Sequence, residues 1–520
     1  MSDPVNAQGQ SNQHRLIFIA SFLTLIAAGV GFAIRGGILK DWAGQYGFTM
    51  LELGTITGGG LLGFGIIIML SSLITDRVGY KTILLAAFVM HVLSAIVTLA
   101  ATPVFNAMGK GATYWCLYIG MFMFAVGNGL CEGAINPLVA DLYPKKKTHY
   151  LNILHAGWPG GLIVGGLLGF LMVGKMRWEI PLALFLIPTL AYGLITLKEK
   201  FPVSHAHAAG IKFGEMLKQF AAPLLIIILI LQACVGYVEL GTDSWISNIT
   251  GAILQSPQQG LLLFVYASAI MFTLRFFAGP IVERINPIGL LCVSSAIGAT
   301  GLLFLSSAKT AVLIWVAVTI YSLGKTFLWP TMLGVVGEKF PRGGAVTMGA
   351  VGAVGMLSAG LLGGPGIGYK QDANASSHLE AESPETYERY AASEENSFLG
   401  VFSTRGLDGA KVGVILDQAG PGTDLERTVA IFEEEGVDSE FVDNLHEWWQ
   451  DSEQYAEADK PLVGEATIHG GRMALKLTAA VPAFMAVSFL MIALYFRAKG
   501  GYKAEHIHEH PEDEITSGQA

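Results

Sequence analysis

Charge is scarce in this chain: only 14% of its 520 residues are charged, too few for an ordinary soluble enzyme of this length. Cysteine is scarcer. The four, Cys116, Cys131, Cys234 and Cys292, all lie inside apolar runs without paired spacing, which excludes a disulfide framework or a zinc cluster and leaves them as packing residues. No glycine cluster follows a strand and ends in Lys-Ser or Lys-Thr, so nothing points to a nucleotide-hydrolysing pump. No cofactor, metal or nucleic-acid partner is expected, and the chain is not expected to be an enzyme.

What the chain has in excess is apolar surface and glycine, with 52% hydrophobic residues and 64 glycines. That combination describes a membrane protein. The formal net charge of −9 is misleading, because residues 370–472 hold 23 acids against 7 bases. That segment alone contributes −16 and leaves the remainder at +7, as short cytoplasmic loops rich in Lys and Arg require.

A stretch of roughly 20 apolar residues spans the hydrocarbon core as a helix. About twelve are predicted, at 15–38, 52–74, 82–103, 114–142, 150–174, 178–197, 222–248, 258–281, 287–307, 310–338, 345–368 and 473–497. The first is too long, and lacks the small-residue cleavage pattern, to read as a removable signal peptide. Basic residues concentrate in the loops on the amino-terminal side, among them Arg77, Lys81, Lys145, Lys146, Lys147, Lys198, Lys200 and Arg284. The positive-inside rule therefore predicts cytoplasmic termini in a cell membrane, plasma or bacterial inner. The expected organisation is a leader at 1–14, a six-helix bundle at 15–197, a cytoplasmic linker at 198–221, and a second bundle at 222–368 and 473–497. An outward-facing acidic soluble insert occupies 369–472 and a disordered tail 498–520.

Two loops repeat. Ser72-Leu-Ile-Thr-Asp76-Arg77-Val-Gly79 and Gly279-Pro-Ile-Val-Glu283-Arg284 each place an acid-base pair four residues after a small residue, and the acids are 207 positions apart. Gly127-Asn128 ending at Tyr143-Pro144 and Gly324-Lys325 ending at Phe340-Pro341 recur at an offset of 197. Near-equal offsets at two places argue for a duplicated six-helix unit. The Asp76-Arg77-Val-Gly79 loop resembles the loop signature of the major facilitator superfamily. The resemblance implies two pseudo-symmetric six-helix bundles working by alternating access, with Asp76, Arg77, Gly79, Glu283 and Arg284 as gating residues. Ser72 and Tyr80 depart from the usual pattern, so the charge relay of the family is only partly supported.

A charged side chain near the bilayer centre costs about 2.5 to 3.5 kcal/mol on insertion scales, so such residues usually face a cavity. Asn128, Glu132 and Asn136 recur every fourth residue and share one helix face. Gln232, Tyr237, Glu239, Thr242, Asp243, Trp245 and Asn248 mix hydrogen-bonding groups with aromatics, as a polyhydroxylated ring requires. Asn152 and His155 open the fifth span, and Lys325 and Trp329 lie in the tenth. Lys325 is expected to pair with an intramembrane acid, most simply Glu132 or Glu239. Arg275 either lines the cavity or snorkels, and His91 reads as a packing histidine.

The run Cys131-Glu132-Gly-Ala-Ile-Asn136-Pro137, with Leu151-Asn152-Ile-Leu-His155 and Gly236-Tyr237-Val238-Glu239, is similar to the fucose:proton symporter branch of that superfamily. The resemblance implies Glu132 as the proton-coupling carboxylate, with Asn136, Asn152 and Glu239 contacting or organising a sugar. That branch also uses an aspartate in the middle of the first span. Here the first span has no acid before Asp41, so Glu132 acts alone, or Glu239 replaces the missing acid, or the ion is sodium.

The expected substrate-binding set is thus Asn128, Asn136, Asn152, His155, Gln232, Tyr237, Glu239, Trp245, Lys325 and Trp329, with ion coupling at Glu132 and Glu239. The expected partners are a small polar solute, a coupling ion and the bilayer, and the chain is expected to act as a monomer. Alternatives are a proton-coupled drug or metabolite exporter and a transporter-like receptor using the insert. Within the insert, Ser383-Pro384 predicts a helix to Arg389, Val412–Leu416 a strand, Thr423–Glu426 a capping box before a helix ending at Gly436, and Ser439 the start of another helix.

Overall fold

A computed structural model describes residues 4–46, 48, 50–172, 176–393, 395–416, 439–505 and 507. The body is helical because a chain in hydrocarbon must satisfy every backbone N–H and C=O internally. We label the long helices α1 (Pro4–Gly37), α2 (Met50–Val78), α3 (Tyr80–Leu99), α4 (Ala101–Leu142), α5 (Lys147–Met172), α6 (Glu179–Ala183 and Leu186–Lys198) and α7 (Pro223–Gly236, continuing to Ile253). They are followed by α8 (Pro257–Arg275), α9 (Ala278–Ser307), α10 (Ala311–Lys325 and Leu328–Lys339), α11 (Gly344–Ser358, continuing to Glu382) and α12 (Ala456–Thr478 and Ala480–Ala498). Among the described residues, ten helices are long and apolar enough to cross a membrane. The two other expected positions, 52–74 and 258–281, are also helical, in α2 and in α8 with the start of α9.

The duplication is visible in the backbone. Between α2 and α3 the chain turns through Gly79 at φ 90°, and 207 positions later α9 is interrupted by Asn286 at φ 55°. Glycine takes a left-handed turn at no steric cost; asparagine tolerates it, and its Oδ1 accepts the Gly289 N–H at 3.0 Å to start the next helix. At the second repeat, Tyr143 closes α4 with φ −126° and ψ 60°, and Phe340 closes α10 with φ −129° and ψ 51°. The same turn closes the same element in each half.

The halves pack α2 against α11, α5 against α8 and α10, and α4 against α11. They are bolted together at the end that carries the 199–222 linker. Lys146 pairs with Glu283 at 3.2 Å, Lys147 Nζ donates to the Gly337 carbonyl at 2.7 Å, Thr148 Oγ1 donates to Glu338 at 2.6 Å, and the Ala345 N–H donates to Asp76 Oδ2 at 2.9 Å. The chain beyond α12 adds to this end, with Tyr502 donating to Glu338 at 2.8 Å and Lys339 pairing with Glu505 at 2.6 Å.

At the opposite end α11 does not stop where its apolar sequence stops. It runs on to Glu382 and packs along Ala456–Thr478, the leading part of α12, so the segment between them stands on two helical stalks. Gly470 permits the approach, since a Cβ there would lie 2.5 Å from the Gln371 carbonyl oxygen. The expected helix after Ser383 is present as Pro384–Tyr390, and its Arg389 grips Asp459 of α12 with two bonds of 2.6 and 2.8 Å. Those bonds hold the Arg389 guanidinium above its ordinary proton affinity. Ser439–Ser452 is helical as expected, and its Trp448 Nε1 donates to the Arg389 carbonyl at 2.8 Å. The expected strand at Val412–Leu416 is instead a helix, Gly409–Leu416, whose Val414 and Ile415 are buried. The capping box at Thr423–Glu426 and the helix to Gly436 lie outside the described residues. A hairpin pairs Asn396–Phe398 with Phe402–Thr404.

Candidate functional site

Five acidic and basic side chains, Glu132, Glu239, Asp243, Arg275 and Lys325, meet in the interior beside His155. Helix α7 changes pitch at Tyr237–Gly241, a π turn, and α11 does the same at Ala359–Gly363. The two π turns touch through glycine: a Cβ on Gly241 would lie 2.6 Å from the Gly363 Cα. Such turns recur at functional sites because they realign the side chains that follow. Here Glu239 is buried, and Asp243, four residues on, is half-buried.

Glu239 Oε1 accepts from Arg275 of α8 at 2.8 Å, and its Oε2 accepts the Trp329 N–H of α10 at 3.3 Å. Lys325, 1% exposed, pairs with Asp243. The expected pairing of Lys325 with Glu132 or Glu239 is therefore corrected: Glu239 is taken by Arg275, and the acid one turn beyond takes the lysine. Burial leaves each charge in need of a partner, and each of these four has one.

Glu132 is different. Only 7% exposed, it accepts from Asn136 Nδ2 at 2.7 Å and takes part in no salt bridge among the described residues. Because Asn136 donates through its amide nitrogen, its Oδ1 is the acceptor for His155 Nε2 at 2.9 Å, which fixes the Nε2–H tautomer of His155. Asn152 donates to Thr331 of α10 at 3.2 Å and to the Thr148 carbonyl at 2.8 Å, while its Oδ1 is buried without a partner. Gln232 is fully buried beside Gly355 and Trp329, and both of its amide atoms lack partners in the protein.

Thus Glu132, Asn136, Asn152, His155, Gln232, Glu239, Lys325 and Trp329 gather on α4, α5, α7 and α10. Three other expected residues lie elsewhere. Asn128 turns into the first bundle, where His91 Nε2 meets its Oδ1 at 3.0 Å and His91 Nδ1 meets Tyr192 at 2.9 Å. The face shared with Glu132 and Asn136 is split, since a stripe four residues apart drifts around the helix. Tyr237 accepts from Lys370 at 2.9 Å, and Trp245 Nε1 donates to the Gly364 carbonyl at 2.8 Å, so both clamp α7 onto α11. Of the loop residues, Asp76 is buried and Arg77 lies over the Phe213 ring at 5.0 Å. Glu283 holds Lys146 across the halves and Arg284 is exposed beside it.

Sequence reasoning named Arg275 and Asp243 but left both out of the expected substrate-binding set. The signal for Arg275 was present, as the one charged residue in the otherwise uncharged stretch 260–282. Snorkelling from that depth is ruled out by its 2% exposure.

Known proteins are similar to this chain in sequence or fold. One curated relative, the cis,cis-muconate transport protein of Acinetobacter baylyi, is 24% identical over 184 residues, 35% of this chain and 41% of that protein. The chain thus spans less than half the length of that relative. Among solved structures, the E. coli fucose:proton symporter matches with a TM-score of 0.56 at 18% identity, over 68% of this chain and 91% of its own. A proton:xylose symporter matches with a TM-score of 0.59 at 15% identity, over 67% and 87%. A bacterial homologue of the human lysosomal transporter Spinster covers 94% of this chain and 99% of its own, with a TM-score of 0.53 at 15% identity. At these identities the structures share a fold. The family model described as Major Facilitator Superfamily matches residues 18–364, and with two helical halves repeating the same turns around a buried polar centre, the chain belongs to the major facilitator superfamily of transporters.

Proposed function

We propose that this transporter is a secondary active symporter that moves a small polar solute, a sugar, together with a proton. Twelve spans form two halves that rock about the polar centre, both termini are cytoplasmic, and the segment on the α11 and α12 stalks faces outward. The bolted linker end is then the cytoplasmic side, closed in this conformation.

One observation carries the reading. Of the three acids at mid-depth, Glu239 and Asp243 have cationic partners and Glu132 has only an amide. A buried carboxylate without a counter-charge is the group most readily neutralised by a proton. With His155 neutral, the three acids and two cations sum to zero when Glu132 is protonated and to −1 when it is ionised. A neutral solute disturbs neither state, and the unpartnered amide atoms of Gln232 and Asn152 offer hydrogen bonds that hydroxyl groups complete. A dicarboxylate such as muconate, the cargo of the curated relative, would need a free cation, and both Arg275 and Lys325 are already neutralised.

Uptake of radiolabelled monosaccharides and of muconate into proteoliposomes, with proton or sodium gradients imposed, tests this. Accumulation of one sugar driven by the proton gradient and lost in Glu132→Gln is the expected result. Accumulation of muconate alone, or of nothing under either gradient, overturns it.

A further inference from the structure

Arg275 sits in a cradle that two prolines make. Its guanidinium sends each nitrogen to a different helix: NH1 to the His155 carbonyl of α5 at 2.6 Å, Nε to the Thr326 carbonyl of α10 at 2.8 Å and NH2 to Glu239 of α7 at 2.8 Å. In a continuous helix the carbonyl of residue i accepts from the N–H of residue i+4. The residues four beyond His155 and Thr326 are Pro159 and Pro330, which have no N–H to give. Both carbonyls are therefore left without their helical donors, one in each half of the molecule, and Arg275 occupies both.

This makes Arg275 a bond between the halves as well as a partner for Glu239. The charged and titratable groups facing it from neighbouring helices are Glu239 and Asp243 of α7, Glu132 of α4, His155 of α5, and Lys325 of α10 through Asp243. Glu132 and Arg275 make no contact, but they lie near enough for their charges to interact. Glu132 belongs to the same half as His155 and is joined through Asn136 to the ring of that residue, whose carbonyl holds Arg275. A negative charge on Glu132 thus draws the guanidinium toward the amino-terminal half, where His155 holds it.

We propose that Arg275 is a positioning residue that ties the protonation of Glu132 to the contact between the halves: an ionised Glu132 holds the guanidinium on the amino-terminal half, and a protonated Glu132 releases it to Glu239 and Thr326 of its own half. The proposal rests on Glu132 being the coupling acid. A proton arriving from outside loosens the latch and allows the linker end to open; its loss on the other side restores the pull and closes that end again. Linkage requires the reciprocal effect, in which the bolted conformation binds the proton less tightly than the opened one.

The distance between spin labels at Lys145 and Ile285, exposed on opposite halves at the linker end, reports this without any solute. The measurement uses the full chain in nanodiscs, with its four cysteines replaced by alanine, from acid to alkaline pH. The short-distance population is expected to rise with pH in the otherwise unsubstituted protein, and to lose its pH dependence in both Glu132→Gln and Arg275→Gln. Pro159→Ala keeps the test open if Arg275→Gln fails to fold: it returns a helical donor to the His155 carbonyl, leaves the Glu239 pair in place, and should at least halve the short-distance population at high pH. A pH response that survives in Arg275→Gln but not in Glu132→Gln, or an unchanged population in Pro159→Ala, overturns the latch and leaves the coupling reading standing. A response that survives in Glu132→Gln overturns both, and so does a protein with no response at all.

Discussion

The two halves share a backbone and differ in charge. Both close their fourth helix with the same turn and both leave their second through a left-handed residue. Yet the carboxyl-terminal half buries two ion pairs at mid-depth, Arg275–Glu239 and Lys325–Asp243, whereas the amino-terminal half buries one acid with an amide partner. Its buried cation, Arg35, stacks on the Phe124 and Phe185 rings at 3.9 and 4.7 Å and donates to Ser94 at 3.0 Å. Duplication preserved what the backbone needs, which is turns and small residues at helix contacts. The polar content was free to diverge, so one half carries a balanced set that stays charged and the other an acid that can change state.

The largest effect should come from unbalancing the balanced half. Replacing Glu239 by Leu leaves Arg275 buried against two carbonyls without a counter-charge, and removal of one partner of a buried pair costs about 3 to 5 kcal/mol. Thermal unfolding in detergent should show this as a large drop in Tm. Glu132→Gln should behave in the opposite way. It removes an uncompensated carboxylate and keeps an acceptor for Asn136, so Tm should hold or rise while proton-driven accumulation falls to the level of passive equilibration. A Glu132→Gln protein as unstable as Glu239→Leu would erase the distinction between the halves.

The π turns set the next effect. Gly236 lies so close to the Gly355 carbonyl that an added Cβ would overlap it. Gly236→Ala should therefore shift α7 away from α11 and cost about 1 to 3 kcal/mol, the usual range for overpacking. Uptake should suffer more than stability does, because the shift moves Glu239. Equal activity in the alanine variant would show that the π turn does not position the acid.

Much of this arrangement was legible in the sequence, and the part that was not has identifiable causes. The helices and the repeated loops are local matters: apolar length, a glycine where φ must be positive, an acid-base pair at a fixed offset. Glu132 was legible because a lone carboxylate in an apolar run has few structural uses. The choice of partner for Lys325 was not, because it depends on a π turn that shifts the register of α7 between Glu239 and Asp243, and no residue pattern marks that turn. Arg275 was half legible. Pro159 and Pro330 announce two free carbonyls, but that α5, α8 and α10 meet around one guanidinium is a tertiary fact. The helix at Gly409–Leu416 was read as a strand because a short apolar run has no decisive period, and its packing against Ala456–Thr478 decided the matter.

The smallest effects should come from the charges at the two ends, and they should differ from each other. Asp459 is 1% exposed and takes two bonds from Arg389 and one from Thr386 at 2.9 Å, so Asp459→Ala leaves a part-buried guanidinium and a hydroxyl without their acceptor. Hydrogen bonds to a charged group are worth about 1.5 to 3 kcal/mol, and the loss should appear as faster proteolysis within 384–460 while the membrane helices stay protected. Lys146 and Glu283 make a single bond at 3.2 Å with side chains 61% and 66% exposed. Water competes for both, so Lys146→Ala should change Tm by no more than exposed pairs usually do, at most about 1 kcal/mol. Its effect belongs to the balance between conformations: one of several bolts at the linker end is gone, so the labelled distance there should lengthen slightly at every pH while its pH dependence persists. If the surface pair instead abolished the pH dependence, the sensing charge would lie at the loop and not at mid-depth, and the contrast between the two halves would lose its functional meaning.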